Sequence, residues 1–503
     1  MAALFRLAAP NVSDPDSFYH FRHAAIYAEK GLTYARFPWL VYSAVSRFSA
    51  DLAYGFHVLL IPFTLLRNEI LGIKLAAILE TLIVLVLMYL VMRRHRIACS
   101  GVWPFVLFLL GPPMTYTFLQ TRPQTLTMGF SALLLSFMVR GSAWGVLVAA
   151  FGICFFHLNV FVVVPAVVLV AALVRGCTSR TWEWRKWVAA LAGMVLGLAL
   201  RPNLIGAAKL EYVQFVVHEM VRGARIPLLF GREWFPLNLV DATTAFTWFL
   251  LAWVGMAALA LVTRCARGAG KSAEDRALLW SSLALSVLFF AVMIHTTKRA
   301  TPLWATFGVI FVAVACSQFL WGRSVERERL LSAETRLVAG CLLAALLMVM
   351  AGGVVNDHLI HEKWVGRSSY RMWGAGQWLK ENARPNDIVY NVSWGTFPEL
   401  FFWDPQNRYV SGLDPIFLFA YDKALYWKTH HLQSGTATSQ TWPSMYMKPE
   451  EAEDTYTMVK RDLRASHVVL EPSRREKLEE YLESDSRFER TYDDGEVVVF
   501  AVR

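Results

Sequence analysis

The chain has 503 residues, 56% of them hydrophobic and 17% charged, with a mean hydropathy of +0.39. That is too apolar for a soluble enzyme and marks a polytopic membrane protein. The formal net charge of +10 suits either nucleic acid or an anionic lipid surface; the basic residues fall between apolar runs, which selects the membrane and excludes nucleic acid as a partner.

The opening "MAALFRLAAP" is too short for a signal peptide or a spanning helix, so a first transmembrane helix is expected to be missing, or the start to lie downstream of the true one. Residues 11 to 31, "NVSDPDSFYHFRHAAIYAEKG", then crowd Asp14, Asp16, His20, Arg22 and His23 together ahead of any long apolar run. Residues 37 to 66 carry apolar side chains at helical spacing broken by Arg47, Asp51 and His57, which predicts interfacial helices. About ten spans follow, expected at 71–92, 101–119, 124–139, 144–157, 158–174, 187–200, 241–263, 278–295, 301–320 and 337–355.

Alternate connections are rich in Arg and Lys: Arg93, Arg94 and Arg96; Arg140; Arg175, Arg180, Arg185 and Lys186; Arg264, Arg267, Lys271 and Arg276; Arg323, Arg327, Arg329 and Arg336. By the positive-inside rule these face the cytoplasm. The opposite set is then extracytoplasmic: residues 1–70, "QTRP" at 120–123, the loop 201–240, "HTTKRATP" at 295–302 and everything after 356. All six cysteines fall in spans or on the cytoplasmic side, so no disulfide framework is expected.

Beyond the linker 356–369 the composition turns polar and mixed. "DIVYNV", "NRYVSG", "SHVVLEP" and "EVVVFAV" read as strands, with helices over "SSYRMWGAGQWLKENA" and "SRREKLEEYLES". The expected organisation is therefore a first loop with interfacial helices, 1–70, a transmembrane domain, 71–355, and an extracytoplasmic α/β domain, 356–503.

The outward loops carry the candidate chemistry. Asp14 and Asp16, flanking Pro15, can act as a base for a hydroxyl or as hard oxygen ligands for a divalent cation such as Mg or Mn; the alternative is a solvated turn in which Asp14 caps a helix starting near Ser17. Arg122, Arg201, Lys298 and Arg299 stand at outward span ends, where they can grip a lipid phosphate or snorkel to headgroups. Glu233 beside Trp234 is either a sugar-binding pair or an interfacial tryptophan next to a solvated acid. His57, among apolar neighbours, is a substrate-binding candidate or a packing histidine, and for His157 packing is the preferred reading. No organic cofactor is expected. The acids of the C-terminal domain, Glu399, Asp404 and Asp414, lie among aromatic residues and read as packing or docking groups.

A first outward loop "DPDSFYHFRHA", amphipathic helices after it, about ten spans with short ones in the middle, and an extracytoplasmic C-terminal domain together resemble the GT-C superfamily of polyprenyl-phosphate-sugar glycosyltransferases. The loop string is similar to the acidic first-loop motif of the oligosaccharyltransferase catalytic subunit. "RPNLIG" and "SWGTFPELFFW" are similar to segments of GT-C-like bacterial membrane proteins. The resemblance implies that Asp14 or Asp16 orients or deprotonates the acceptor and holds any metal, and that Arg122, Arg201, Lys298 and Arg299 grip the donor phosphate; His20, Arg22, His57, Glu233 and Trp234, on the same outward loops, are the expected substrate contacts. It implies a polyprenyl-phosphate sugar donor, a lipid, glycan or protein acceptor, and a multi-pass protein of the inner (plasma) membrane working on its outer face. The oligosaccharyltransferase signature Trp-Trp-Asp-Tyr-Gly is absent, so transfer to asparagine is not implied.

Such a donor leaves as a phosphate anion and needs positive charge, while the acceptor hydroxyl needs a proton acceptor on the other side of the anomeric carbon; a single displacement inverts configuration. Two other classes compete. A transporter or flippase of lipid-linked sugar would keep its charges near the bilayer midplane and often shows duplicated helices. A non-catalytic GT-C-like scaffold would tolerate loss of Asp16.

Overall fold

The computed structural model describes residues 3, 6–7, 9–12, 14–266, 272–319, 348–353, 355–356 and 368–503. Most of the tenth expected span, 337–355, and of the linker 356–369 lies outside the described residues, as do Arg267, Lys271, Arg323, Arg327, Arg329, Arg336 and Cys341. The chain forms two compact units: one of residues 1–13, 74–199 and 232–366, the other of residues 14–73, 200–231 and 367–503.

The first unit is helical. Its helices include Pro123–Val139, Ala143–Phe156, Val163–Ser179, Trp184–Ala199, Leu239–Ala266, Ala273–His295 and Thr301–Phe319, and Glu69–Arg94 enters it at Lys74. Nine of the ten expected spans thus correspond to helix, with 101–119 split into Trp103–Phe108 and Pro112–Leu119 around Gly111 and the two prolines after it. Five described helices are long and apolar enough to cross a bilayer, or six if Trp184–Ala199 and Leu204–Gly223 make one broken span. The others are too short to cross it straight: Pro123–Val139 has 17 residues and Ala143–Phe156 has 14. Small residues let these helices close on each other. A Cβ on Gly193 would run into the carbonyl oxygen of Leu147, so Trp184–Ala199 meets Ala143–Phe156 backbone to backbone. Thr301–Phe319 is the buried centre, with Trp304 fully enclosed by Phe246, Phe249 and Phe290 at 5.1 to 5.5 Å.

The second unit is built on a sheet. Its strands are β1 (Ile388–Asn391), β2 (Arg408–Tyr409), β3 (Gln440–Thr441), β4 (Glu453–Asp454), β5 (His467–Leu470), β6 (Phe488–Asp493) and β7 (Val498–Val502). Five of them run in the order β2-β1-β5-β7-β6, with β2, β1 and β5 parallel and β7 and β6 antiparallel; β3 and β4 pair by themselves. The expected strands and both expected helices are present, the helices as Trp373–Asn382 and Pro472–Ser484. Val389, Val468, Val469 and Val498 to Phe500 are buried, as expected of strands covered on both faces.

The first loop joins this unit. It contains α1 (Asp16–Lys30), α2 (Ala44–Phe48) and α3 (Tyr54–Thr64), the last two being helices within the stretch 37–66 where helical spacing was expected. In α1, Asp16 in the first turn and Lys30 in the last complement the helix dipole, and Gly31, at φ +90°, ends the helix in a conformation few other residues accept. Phe18, Phe21, Ala24 and Tyr27 recur at three-residue spacing and are buried. Phe18 meets Phe402 of the helix Phe397–Trp403 at 5.1 Å. Residues 39 to 41 run parallel beside β2: Tyr409 N–H donates to Trp39 O at 2.7 Å and Val41 N–H to Tyr409 O at 3.0 Å, while Trp39 Nε1 donates to Pro405 O at 2.7 Å.

Candidate active site

In the second unit, α1 presents His20 and His23, α3 presents His57, and the turn between α2 and α3 presents Asp51. The turn is fixed by Asp51 itself, whose Oδ1 accepts the Ala53 N–H at 2.8 Å just ahead of α3. Asp51 Oδ2 lies 2.6 Å from His57 Nδ1 and accepts the Tyr27 hydroxyl at 3.0 Å. His57 Nε2 lies 2.8 Å from His20 Nδ1. His57 is fully enclosed, His23 and Asp51 nearly so, and His20 is half-buried. His23 stacks on His57 at 4.3 Å and bonds through Nδ1 to the Tyr19 hydroxyl at 3.1 Å. Arg201, reaching in from the segment after residue 200, donates to the main-chain oxygen of Asp51 at 2.7 Å.

Burial pushes the Asp51 carboxyl up, but the imidazoles of His57 and His23, the His57 hydrogen bond and the Arg201 charge together hold it below the ordinary carboxylate range. Burial, against the pull of Asp51, pushes His23 down to about 3, and it pushes the Tyr19 hydroxyl up. Both the acid and the base therefore bind protons more weakly folded than unfolded. Their contribution to stability is complete above the unfolded value of His23, about 6.5, and is lost as pH falls. The second unit should lose stability on acidification from about pH 6.5, and the His23→Gln chain should show a slope shallower by about 1.4 kcal/mol per pH unit between about 6 and 4. Melting temperatures of solubilised protein across that range measure this; parallel slopes would mean that His23 is charged when folded.

His23, Asp51 and His57 offer donor atoms all within 4.8 Å of one another, so by composition and position this group can hold a metal ion. Two imidazoles and one carboxylate suit a zinc-like ion, whereas Mg and Mn prefer oxygen shells. The donors are, moreover, bonded to each other. The 2.6 Å between His57 Nδ1 and Asp51 Oδ2 is less than the roughly 3 Å between two donors held about 2.1 Å from one ion. The other nitrogen of His57 is engaged by His20. The arrangement does not fit Mg or Mn, and as built it is a hydrogen-bonded network.

In the first unit, the outward loop residues singled out in the sequence come together. Arg299 Nη2 pairs with Glu233 Oε1 at 3.1 Å and its guanidinium lies 3.7 Å from the Trp234 ring centre. Burial pushes Glu233 up, but Arg299 and, further off, Arg122 outweigh it and hold the carboxyl below its ordinary value. Thr297 Oγ1 donates to Glu233 O at 2.8 Å and Lys298 N–H to Phe235 O at 2.9 Å, tying the two loops. Two cations, Arg299 and, further off, Arg122, thus act on one acid, and Lys298 is the chain neighbour of Arg299. Glu80, inside the expected first span and missed in the sequence because its neighbours are apolar, is buried and accepts the Arg122 N–H at 3.3 Å.

The remaining candidates fall as follows. Asp14 is buried just ahead of α1, and its main-chain oxygen accepts the Ser17 N–H at 3.2 Å. Asp16 is half-buried in the first turn. Arg22 reaches along α1 to Glu29 at 3.7 Å. His157 bonds to Thr127 Oγ1 at 3.1 Å, as a packing histidine does. The C-terminal acids are structural: Glu399 pairs with Arg371, Asp404 accepts from Asn407 and Tyr409, and Asp414 caps the helix Pro415–Tyr421. Asp51 went unrecognised as a functional group in the sequence because it counted only as a break in helical spacing. Its signal was its place six residues ahead of His57, in the turn just before the same helix.

No family model matches the chain, and no curated protein matches it either. Among solved structures, ArnT from Cupriavidus metallidurans is similar over 99% of this chain and 96% of its own, at 14% identity and a TM-score of 0.57, both in the apo state and bound to undecaprenyl phosphate. The arabinofuranosyltransferase AftD from Mycobacteria is similar over 99% of this chain and 41% of its own, at 14% identity and a TM-score of 0.52. The oligosaccharyltransferase of Archaeoglobus fulgidus, tethered to an acceptor peptide, is similar over 100% of this chain and 73% of its own, at 12% identity and a TM-score of 0.50. The chain shares the fold of these three structures, and at these identities the likeness is one of fold alone.

Proposed function

We propose that this chain is a GT-C-type membrane glycosyltransferase that moves a sugar from a polyprenyl-phosphate donor to an acceptor hydroxyl on the extracytoplasmic face, with inversion. The observation that carries the proposal is the likeness over nearly the whole chain to ArnT, which has been seen with undecaprenyl phosphate bound. It is supported by the pairing of Arg299 with Glu233, with the Arg122 charge further off, and by an acidic, histidine-rich first loop.

In this reading Arg122, Lys298 and Arg299 neutralise the phosphate as it leaves, with Trp234 and Glu233 offering a ring face and an acceptor for sugar hydroxyls. Arg201 contributes through its charge beside Asp51. Asp14 and Asp16 orient the acceptor hydroxyl and draw on its proton, and they are the oxygen donors for any divalent cation of the Mg or Mn type. His20, Arg22 and His57 complete the acceptor side. The C-terminal α/β domain recognises the acceptor and carries out no chemistry, consistent with the structural use of its acids.

The direct test supplies the purified chain with the polyprenyl-phosphate-sugar fraction of bacterial membranes and measures released polyprenyl phosphate. Release well above a heat-inactivated control is expected, and none at any acceptor tried would sink the reading. Orientation is tested separately. With native cysteines removed, Ser439→Cys, at an exposed position, should react with a membrane-impermeant maleimide in intact cells. Protection until the cells are broken would place the domain in the cytoplasm.

A further inference from the structure

Away from the acids and histidines of the first loop, the second unit holds a cleft of about 880 Å³, a volume that suits a bound small molecule. Three separate stretches of the unit wall it: Phe48 at the end of α2, the helix Leu204–Gly223, and the helix Pro415–Tyr421 with the residues just after it. Ile205, Val213, Met220 and Phe419 make the lining apolar, and among the lining residues only Lys209 and Lys423 are charged. Both lysines are exposed. Each ammonium lies over a ring of the lining, Lys209 Nζ 5.9 Å from the Phe48 ring centre and Lys423 Nζ 5.5 Å from that of Phe419, and neither has a carboxylate partner among the described residues. The acids nearest in sequence are engaged elsewhere: Asp422 caps the helix Lys423–Ser434 by accepting the Leu425 N–H at 2.9 Å, and Glu219 pairs with Arg222 at 2.8 Å. An apolar cleft with two uncompensated cations on its lining matches an amphiphile with a negative head. The wall itself is irregular, since the helix opens into a π-helical turn over Tyr212–Val217 where it meets the cleft, and such turns cluster at functional sites. Ile205, Tyr212 and Met220 line the cleft and are still 69, 56 and 65% exposed, so apolar surface runs outward from it, as on a helix that lies at a bilayer surface. The cations assigned above to the donor phosphate, Arg122, Lys298 and Arg299, belong to the first unit, and no lining residue of the cleft does.

We propose that this cleft seats an anionic membrane phospholipid, with a chain along Ile205, Val213 and Phe419 and its phosphate on Lys209 and Lys423, and that the lipid braces the first loop. The brace follows from what the same helix holds. Asn203, at its head, donates through Nδ2 to Phe48 O at 2.9 Å and Ser49 O at 3.0 Å, and Arg201, two residues earlier, donates to Asp51 O at 2.7 Å. A lipid filling the space between this helix and Phe48 therefore steadies the turn that carries Asp51. A free anion such as phosphate would satisfy the lysines but would leave the apolar lining wet, which is why the seat is assigned to a lipid.

The test measures binding and uses no transfer reaction, so the lipid seat and the transferase reading fail separately. The full chain in an uncharged detergent is titrated with dioleoyl phosphatidylglycerol or with dioleoyl phosphatidylcholine. Native mass spectrometry counts the lipid retained, and the melting temperature is followed in parallel. Phosphatidylglycerol should be retained, one per chain, at concentrations where phosphatidylcholine is not, and it should raise the melting temperature in step with the logarithm of its concentration. Lys209→Gln should weaken that binding about fivefold, and Lys209→Gln with Lys423→Gln about thirtyfold, one lysine near an anionic lipid being worth a factor of roughly five. Arginine at both positions should restore it. Ala208→Trp, which puts an indole on the lining, should expel the lipid, and Ala420→Trp serves where that variant does not fold. Equal retention of the two lipids, or phosphatidylglycerol binding unchanged when both lysines are glutamine, would overturn the seat. Displacement of phosphatidylglycerol by millimolar inorganic phosphate would make it a free-anion site, and full displacement by equimolar undecaprenyl phosphate would make it the donor's own; either result overturns the assignment.

Discussion

Asp16→Asn should leave a folded, membrane-inserted protein that transfers sugar about a hundredfold more slowly or worse, because a positioned carboxylate in the reacting array contributes at least that much. The substitution keeps the size of the side chain and removes only its charge. Asp16 lies in the first turn of α1, where losing the favourable dipole interaction should lower stability by less than about 1 kcal/mol. Asp14→Asn should have the same sign and a smaller effect on turnover, with a larger effect on folding, since Asp14 is buried. Expression and monodispersity in detergent are checked first, then the rate. If both variants turned over lipid-linked sugar at near the wild-type rate, the acids of the opening stretch would be ornamental to the reaction and the scaffold reading would gain.

The largest effect on stability is expected at Arg371. Its guanidinium holds Glu399 through two bonds, at 2.6 and 3.3 Å, and also pairs with Glu471, and all three side chains are buried. Arg371→Met leaves two carboxylates in a space without a cation, which costs about 3–5 kcal/mol. The sign with pH is distinctive. Burial already raises Glu399, with Arg371 opposing, so the folded chain holds that proton more tightly than the unfolded one. Removing Arg371 lifts it further. The variant should therefore be least stable at neutral and alkaline pH and regain stability as pH falls and the carboxyls take up protons. Replacing Arg371, Glu399 and Glu471 together with apolar residues should recover most of the loss, since the cost lies in orphaned charge and not in a missing contact. A change under about 1 kcal/mol for Arg371→Met alone, read from thermal unfolding of solubilised protein, would show that water reaches the pair.

How far the molecule could be read from its sequence depended on which physical signal was local. β5 and β7 are apolar runs with turn residues at their ends, and both were legible. β6 was not, because "FERTYD" lies at the edge of the sheet, where its outward side chains are polar. The helices of the first unit were visible as apolar runs, but a run does not say whether a helix of 14 or 17 residues crosses a bilayer straight, tilts, or shelters behind neighbours. In the site, the residues gathered in the first unit were singled out one by one from unfavourable loop positions. Their convergence is tertiary, and only the charges hinted at it. Asp51 and His57 are six residues apart and His20 is thirty-seven away from His57, so the hydrogen-bonded line they form exists only because α1 packs on α3, which no periodicity reports.

The parallel ladder between residues 39–41 and β2 sets a timetable for biosynthesis. The bond from Trp39 to Pro405 closes a loop of 366 residues. At roughly 5–20 residues per second the ribosome needs about twenty to seventy seconds to deliver the second partner. Through that interval Phe37, Trp39 and Leu40, all buried in the finished unit, have nothing of β2 to cover them. The first loop must wait, sheltered by a chaperone or the lipid surface, and a chain stopped before residue 405 would present the same apolar stretch to proteases and quality control for as long as it survived.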